Sequence, residues 1–351
     1  MGIRSDLSFY DGKKVFITGH NGFKGAWMCN VLTDAGADVC GFSLPCEEGS
    51  AFAVMGLGKG IRSIEGDISD TEKVTDAVSG FCPDVVIHMA AQPIVRESYR
   101  DPVGTYRTNV MGTVNILDAV RKCKNVISVV NVTTDKVYRN VEKNEGYKEE
   151  EALDGNEPYA NSKSCSELVT GAYRRSFFDA AGVPISACRS GNVIGGGDQG
   201  KDRIIPDCVR GASEGRPIIL RNPGSVRPYQ HVLEPVIAYL MLAARQSENK
   251  ELAGCYNIGP DEESTITTQR LAELFCKNWK GAKWMVAENA GGFHEANILR
   301  LDCGKFRRTF GWAPKWNIEE AVKRTAEWYL AALDGKDMKR FTAEQTNDFL
   351  G

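Results

Sequence analysis

The first 190 residues alternate short, β-branched apolar runs with longer segments whose apolar positions recur at helical spacing. Lys14-Val15-Phe16-Ile17-Thr18 reads as a strand, and Lys24 to Ala35 as a helix closed by Gly36. Asp38 to Phe42, Gly60 to Glu65, Asp84 to His88, Asn125 to Val132 and Pro184 to Arg189 read as further strands. Helices are expected near Thr71 to Ser79, across Tyr106 to Lys122 and from Tyr159 to Ala180. This alternation predicts an α/β fold, a doubly wound parallel sheet covered by helices on both faces.

After Arg189 the texture changes. Gly195-Gly196-Gly197, Pro206, Pro217, Pro223 and Pro228 break the chain into shorter, irregular elements, as a smaller mixed α/β domain would require. Residues 1–190 are therefore assigned to the first domain, with segments near 230–258 returning to it, and 191–351 mainly to the second.

Composition narrows the function classes. The 351 residues are 42% hydrophobic and 25% charged, an ordinary globular balance with length for one large or two smaller domains. A net charge of −3 provides no whole-chain basic field for nucleic acid or anionic lipid. No apolar run reaches the roughly 18 residues of a membrane span, and Met1 to Gly12 lacks the apolar stretch of a secretory leader. Eleven cysteines are scattered singly without a Cys-x-x-Cys pair, and the four histidines lie far apart. Reduced thiols in a cytoplasmic protein, with no metal site, are the expectation.

The first strand runs straight into Gly19-His20-Asn21-Gly22-Phe23-Lys24-Gly25 and then a helix. Such a turn lets backbone approach a pyrophosphate while the helix N-terminus favours its charge. Gly19, His20, Asn21, Gly22, Phe23 and Gly25 are thus candidate dinucleotide contacts. The second strand ends in Gly41-Phe42-Ser43-Leu44, where a ribose-binding acid would be usual. Without that acid the residues leave NAD and NADP undecided, and Arg62 is either a 2′-phosphate partner or a solvated surface arginine. Asp67 and Ile68 after the third strand, and Ala90, Ala91 and Gln92 after the fourth, complete the expected cofactor wall. Tyr159 and Lys163 stand four apart on one helical face, downstream of Thr134 at a strand end. A lysine cation beside a phenol favours the phenolate, so Tyr159 is a candidate base towards a hydroxyl.

With these motifs, and with His88-Met89-Ala90-Ala91-Gln92-Pro93, Thr134-Asp135-Lys136-Val137-Tyr138, Gly191-Asn192-Val193-Ile194-Gly195 and Arg227-Pro228-Tyr229-Gln230-His231, the chain resembles the nucleotide-sugar branch of the extended short-chain dehydrogenase/reductase family. Within that branch the resemblance is strongest to the CDP-glucose 4,6-dehydratases and spans nearly the whole chain. It implies a Rossmann-type fold, NAD as cofactor and CDP-glucose or a related nucleotide sugar as substrate. It also implies a redox-neutral dehydration. Tyr159, aided by Thr134, takes the C4 hydroxyl proton as hydride leaves C4; loss of the C5 proton and the C6 hydroxyl comes next, and hydride returns to C6. Asp135 is the implied acid for the C6 oxygen, a role requiring a proton retained by burial. Lys136 stands where related dehydratases carry Glu, and is either the C5 base or an electrostatic stabiliser of the enolate. Asn192, Lys201, Arg203, Arg227 and His294 are implied substrate contacts.

Leu153 to Pro158, Gln199, Gly224 and Tyr229 depart from the family pattern and bear on sugar and base identity. The rival readings are a 4-epimerase of the same fold, which needs no Asp135-Lys136 pair, a dehydratase of another nucleotide hexose, and a non-catalytic cofactor sensor. The resemblance further implies a homodimer, through Val110, Val114, Leu117 and Val120 on one helix and Leu168, Ala172 and Phe178 on another.

Overall fold

The computed structural model describes residues 2–201, 203–287 and 299–351. Seven parallel strands form the main sheet: β1 Lys14–Thr18, β2 Asp38–Ser43, β3 Arg62–Glu65, β4 Val85–His88, β5 Ser128–Val132, β6 Ile185–Ser190 and, later in the chain, β10 Cys255–Ile258. Their order is β10-β6-β5-β4-β1-β2-β3. The order reverses beside β1, between β2 and β4, opening a crevice at the carboxyl ends of the strands where ligands of doubly wound sheets bind.

Alternation along β1 assigns its side chains to two cores. Val15 and Ile17 join the apolar cluster under the helices Phe23–Asp34 and Leu233–Glu248, while Phe16 joins the opposite one under Thr71–Phe81 and Gly112–Lys122. Every residue of β5 is buried, as expected of a strand covered on both faces.

The remaining strands are short: β7 Asn192–Ile194, β8 Ile218–Leu220, β9 Val226–His231, β11 Thr265–Thr267 and β12 Trp284–Val286. They make a three-stranded sheet, β11-β9-β7, and a parallel pair, β12-β8, around a third core that includes Ile205, Leu271, Phe275 and Val322.

Two helices differ from the continuous ones expected. The first is Pro102–Tyr106, a five-residue π-turn over Arg107–Met111, then Gly112–Lys122. The second is Pro158–Tyr173, a π-turn over Arg174–Phe178, then Asp179–Ala181. The second begins where Pro158 takes the first helical position and Glu157 accepts hydrogen bonds from the N–H groups of Tyr159 and Ala160. Leu117, Val120 and Phe178, expected at a dimer face, are in fact core residues no more than 1% exposed. Val103, Met111, Leu168 and Phe177 are the apolar side chains these helices present outward.

Candidate active site

A cavity of about 980 Å3 opens along the crevice, from the glycine turn to the short strands β8 and β9. Gly19 has φ +73°, and a Cβ there would meet the Ala90 nitrogen at 2.9 Å. A Cβ on Gly25 would stand 2.2 Å from the Gly19 carbonyl oxygen. Both positions need glycine. The helix Phe23–Asp34 starts without a side-chain cap, and Asn21, Gly22, Phe23, Lys24 and Gly25 line the cavity. Free N–H groups at a helix start, with backbone this close, suit a pyrophosphate.

His20 lies behind the turn and not on the cavity wall. Its Nδ1 and Nε2 meet Ser43 Oγ at 2.9 Å and Ser63 Oγ at 2.8 Å, and burial pushes its pKa down to about 4. Gly41 makes room for the ring, since a Cβ there would lie 2.1 Å from His20 Cγ. The ring is a neutral imidazole that ties the turn to β2 and β3.

Thr18 Oγ1 accepts from the Met89 and Ala90 N–H groups, fixing the path of the chain after β4. Ala90, Ala91, Asp67 and Ile68 line the cavity. Gln92 does not; its amide donates to Thr105 and accepts from the Ile94 N–H, because the loop after β4 needs those bonds. Phe42, Ser43 and Leu44 form the wall where a ribose acid is usual, while Arg62 is exposed at the far end of β3, off the wall.

Thr134, Lys136, Tyr159 and Lys163 converge on the middle of the cavity. Burial raises the Tyr159 pKa, opposed by the Lys136 charge and a hydrogen bond with Thr134. Lys163 Nζ donates to the Val132 carbonyl at 3.0 Å, and burial lowers its pKa to about 8 against the pull of Glu167. Lys136 thus adds a lysine charge beside the phenol that the four-residue spacing of Tyr159 and Lys163 does not reveal. Asp135 is fully buried. Its Oδ1 accepts from Thr134 Oγ1 at 3.0 Å and from Lys136 Nζ at 3.1 Å, while Oδ2 has no partner. That oxygen lies behind Gly191, a wall residue whose missing Cβ would stand 3.2 Å away.

Towards the far end, Asn192, Lys201, Arg203 and Arg227 all line the cavity. Arg203 pairs with both oxygens of Asp198, Arg227 donates to the Val226 carbonyl, and Asn192 pairs with Tyr229 between the short strands β7 and β9. His294 lies outside the described residues. Of the departures from the family pattern only Tyr229 reaches the wall; Gln199 instead donates to the Gly49 carbonyl.

Lys24 reads in the sequence only as a letter of the glycine motif, yet it is part of the site. Its Nζ donates to Ser190 Oγ at 3.1 Å and lies 5.9 Å from the Tyr239 ring centroid. Burial, with Arg203 and Lys163 adding, lowers its pKa to about 7. The signal for it is a lysine at the second position of a helix whose other inward residues are, apart from Asn30, apolar or glycine. Among the described residues the wall carries eight lysines and arginines against three aspartates, a balance suited to phosphates.

The family model described as GDP-mannose 4,6 dehydratase matches residues 16–325. The chain belongs to this dehydratase family. A curated member, the CDP-glucose 4,6-dehydratase of Salmonella typhimurium, is 42% identical over 98% of both chains. Among solved structures, the fold is shared with an epimerase of Methanothermobacter thermautotrophicus (TM-score 0.81, 21% identity, 96% of this chain and 97% of that one). It is shared also with the dTDP-glucose 4,6-dehydratase of Bacillus anthracis in complex with NAD (TM-score 0.76, 22% identity, 93% and 100%). No helix among the described residues of this family member is long and apolar enough to cross a membrane.

Proposed function

We infer that the protein is a CDP-glucose 4,6-dehydratase using NAD and releasing CDP-4-keto-6-deoxy-glucose. The observation that carries this reading is the Asp135–Lys136 ion pair, with Lys136 on the cavity wall beside Thr134 and Tyr159 and Asp135 buried behind it, in a chain so similar to the Salmonella enzyme. An epimerase has no use for that pair.

The glycine turn, the uncapped helix start and the Ala90–Ala91 wall fit a dinucleotide, with Asn21 to Gly25 on its pyrophosphate and Lys163 and Tyr159 beside its reactive end. Bound NAD supplies the oxidant at C4 and the reductant at C6. Tyr159, aided by Thr134, takes the C4 hydroxyl proton. The C5 proton passes to a base, either Lys136 in its neutral form or a second group beside a charged Lys136, and negative charge gathers on the same oxygen; burial alone would lower the Lys136 pKa, and Asp135 and Tyr159 raise it. Asp135 anchors Lys136 and Thr134 through Oδ1 and, protonated on Oδ2, gives that proton past Gly191 to the C6 hydroxyl, which leaves as water. Asn192, Arg203 and Arg227 bind the nucleotide diphosphate, with Lys201 at the rim.

We also propose a cytoplasmic homodimer. Eleven free cysteines suit a reducing compartment. Val103, Met111, Leu168 and Phe177, between 42% and 66% exposed, form the apolar face the partner would cover.

The test is product analysis by mass spectrometry and NMR with CDP-, dTDP-, UDP- and GDP-glucose and added NAD. Loss of one water, with CDP-glucose preferred, is expected. A product of unchanged mass means the epimerase; conversion of another nucleotide sugar alone moves the base assignment.

A further inference from the structure

Tyr159, Lys163 and Glu167 succeed one another at four-residue spacing along the same helical face, so the carboxylate lies directly below the lysine. Glu167 is buried and fully engaged. Its Oε1 accepts from Thr133 Oγ1 at 2.6 Å and from Arg189 Nε at 2.9 Å, and its Oε2 accepts from Arg189 Nη2 at 2.5 Å. Lys163 holds the preceding Val132 carbonyl, and the Thr133 N–H donates to the Cys188 carbonyl. The end of β5, which presents Thr134, is therefore clamped by two side chains of the Tyr159 helix on one side and by β6 on the other. Arg189 closes the clamp from behind, donating also to Tyr138 and the Glu149 carbonyl.

We propose that Glu167 is a positioning residue for this site, holding Lys163 as a cation and, through Thr133, the end of β5 in register with Tyr159. Several charged or titratable groups surround Lys163. Tyr159 and Glu167 share its helix, Lys24 comes from the glycine-turn helix, His88 from β4, and Asp135 and Lys136 come after β5. Lys24 and His88 cannot favour the ammonium: Lys24 opposes it when charged and is itself lowered to about 7, and His88 is a neutral imidazole with a pKa near 3. Glu167 is the charge that opposes the desolvation of Lys163. Arg189 bonds both oxygens of the carboxylate and offsets part of that charge.

The proposal rests on Lys163 serving the bound cofactor. Its test is the pH dependence of NAD affinity, measured by calorimetry on the full chain. In the natural protein affinity should fall as pH rises through about 8, where Lys163 loses its proton. Glu167→Gln should move that fall at least one pH unit lower, and Glu167→Asp should restore it. Should Glu167→Gln fold poorly beside an unpaired Arg189, the double variant Glu167→Gln/Arg189→Gln removes both charges and should show a smaller shift in the same direction. Adding Lys163→Arg to either should abolish the fall, because a guanidinium keeps its proton. An unmoved fall in both Gln variants overturns the positioning role. A fall that persists in Lys163→Met overturns instead the reading of Lys163 on which it rests.

Discussion

Lys136 Nζ stands 3.1 Å from Asp135 Oδ1, joining a fully buried carboxylate to an ammonium that is 30% exposed in the cavity. The pair keeps the lysine charged where a neutral base would have to be uncharged. The two roles open for Lys136 on sequence grounds are thereby separated by experiment. If it acts as a cation, Lys136→Arg keeps much of the dehydration rate while Lys136→Met loses about 10²–10³-fold. Steady-state product formation decides; an arginine variant as slow as the methionine one means that Lys136 is the C5 base.

Gly191 separates oxidation from elimination. A methyl group there would crowd Asp135 Oδ2 at 3.2 Å and Pro228 Cγ at 3.1 Å. Gly191→Ala should slow water loss about 10-fold or more, as small misplacements at reacting groups do, and leave C4 oxidation nearly intact. Asp135→Asn should do the same more strongly. Reduced nicotinamide, seen by its absorbance in a single turnover, should accumulate in both; no accumulation counts against Asp135 as the acid.

Gly41 exists for His20. Gly41→Ala should cost about 1–3 kcal/mol of stability, as overpacking of a buried site does, and weaken NAD binding by disturbing the turn. Pairing it with His20→Ala should return much of the loss in a thermal melt. Equal melting temperatures for Gly41→Ala and the natural protein would contradict the close contact.

His88 gives stability a defined pH dependence. Burial depresses its pKa to about 3 from an ordinary 6.5. The unfolded chain therefore takes up a proton below about 6.5 that the folded one refuses, so stability falls with falling pH over that window. Relative to His88→Gln, the natural protein should lose about 2 kcal/mol between about pH 7 and about pH 5. Urea unfolding at both values measures it, and parallel behaviour of the two proteins refutes it.

The apolar face on the two helices makes a solution prediction. Light scattering should give twice the mass of one chain, and Leu168→Arg with Met111→Arg should give one. Both side chains are solvent-facing, at 59% and 48% exposure, so the variants should keep their melting cooperativity.

The sheet is readable because β1, β4 and β5 are β-branched runs bounded by glycine, asparagine or aspartate. Tyr159, Lys163 and Thr134 are readable because spacing and strand ends place them. What the sequence hides is where a side chain goes after its backbone is set. His20 and Gln92 sit in motifs that suggest ligands, yet their polar atoms are consumed by Ser43, Ser63, Thr105 and Ile94. Glu167 and Arg189 look like ordinary charges, since their meeting depends on β6 lying beside β5. The strands β7, β8 and β11 have three residues each, too few for a period to emerge. Phe178 changes sides because a helical wheel assumes an unbroken pitch.

The two π-turns hold one residue more than an α-helix would need over the same span. Deleting a residue from Arg174–Phe178 would restore ordinary pitch and harm the local hydrogen bonding little. The damage would arrive downstream: everything after the turn would swing by about 100°, carrying Phe178 out of the core and the entry to β6 out of line. Each extra residue behaves as a wedge in a shaft, its work done by the rotation it imposes on the chain beyond it.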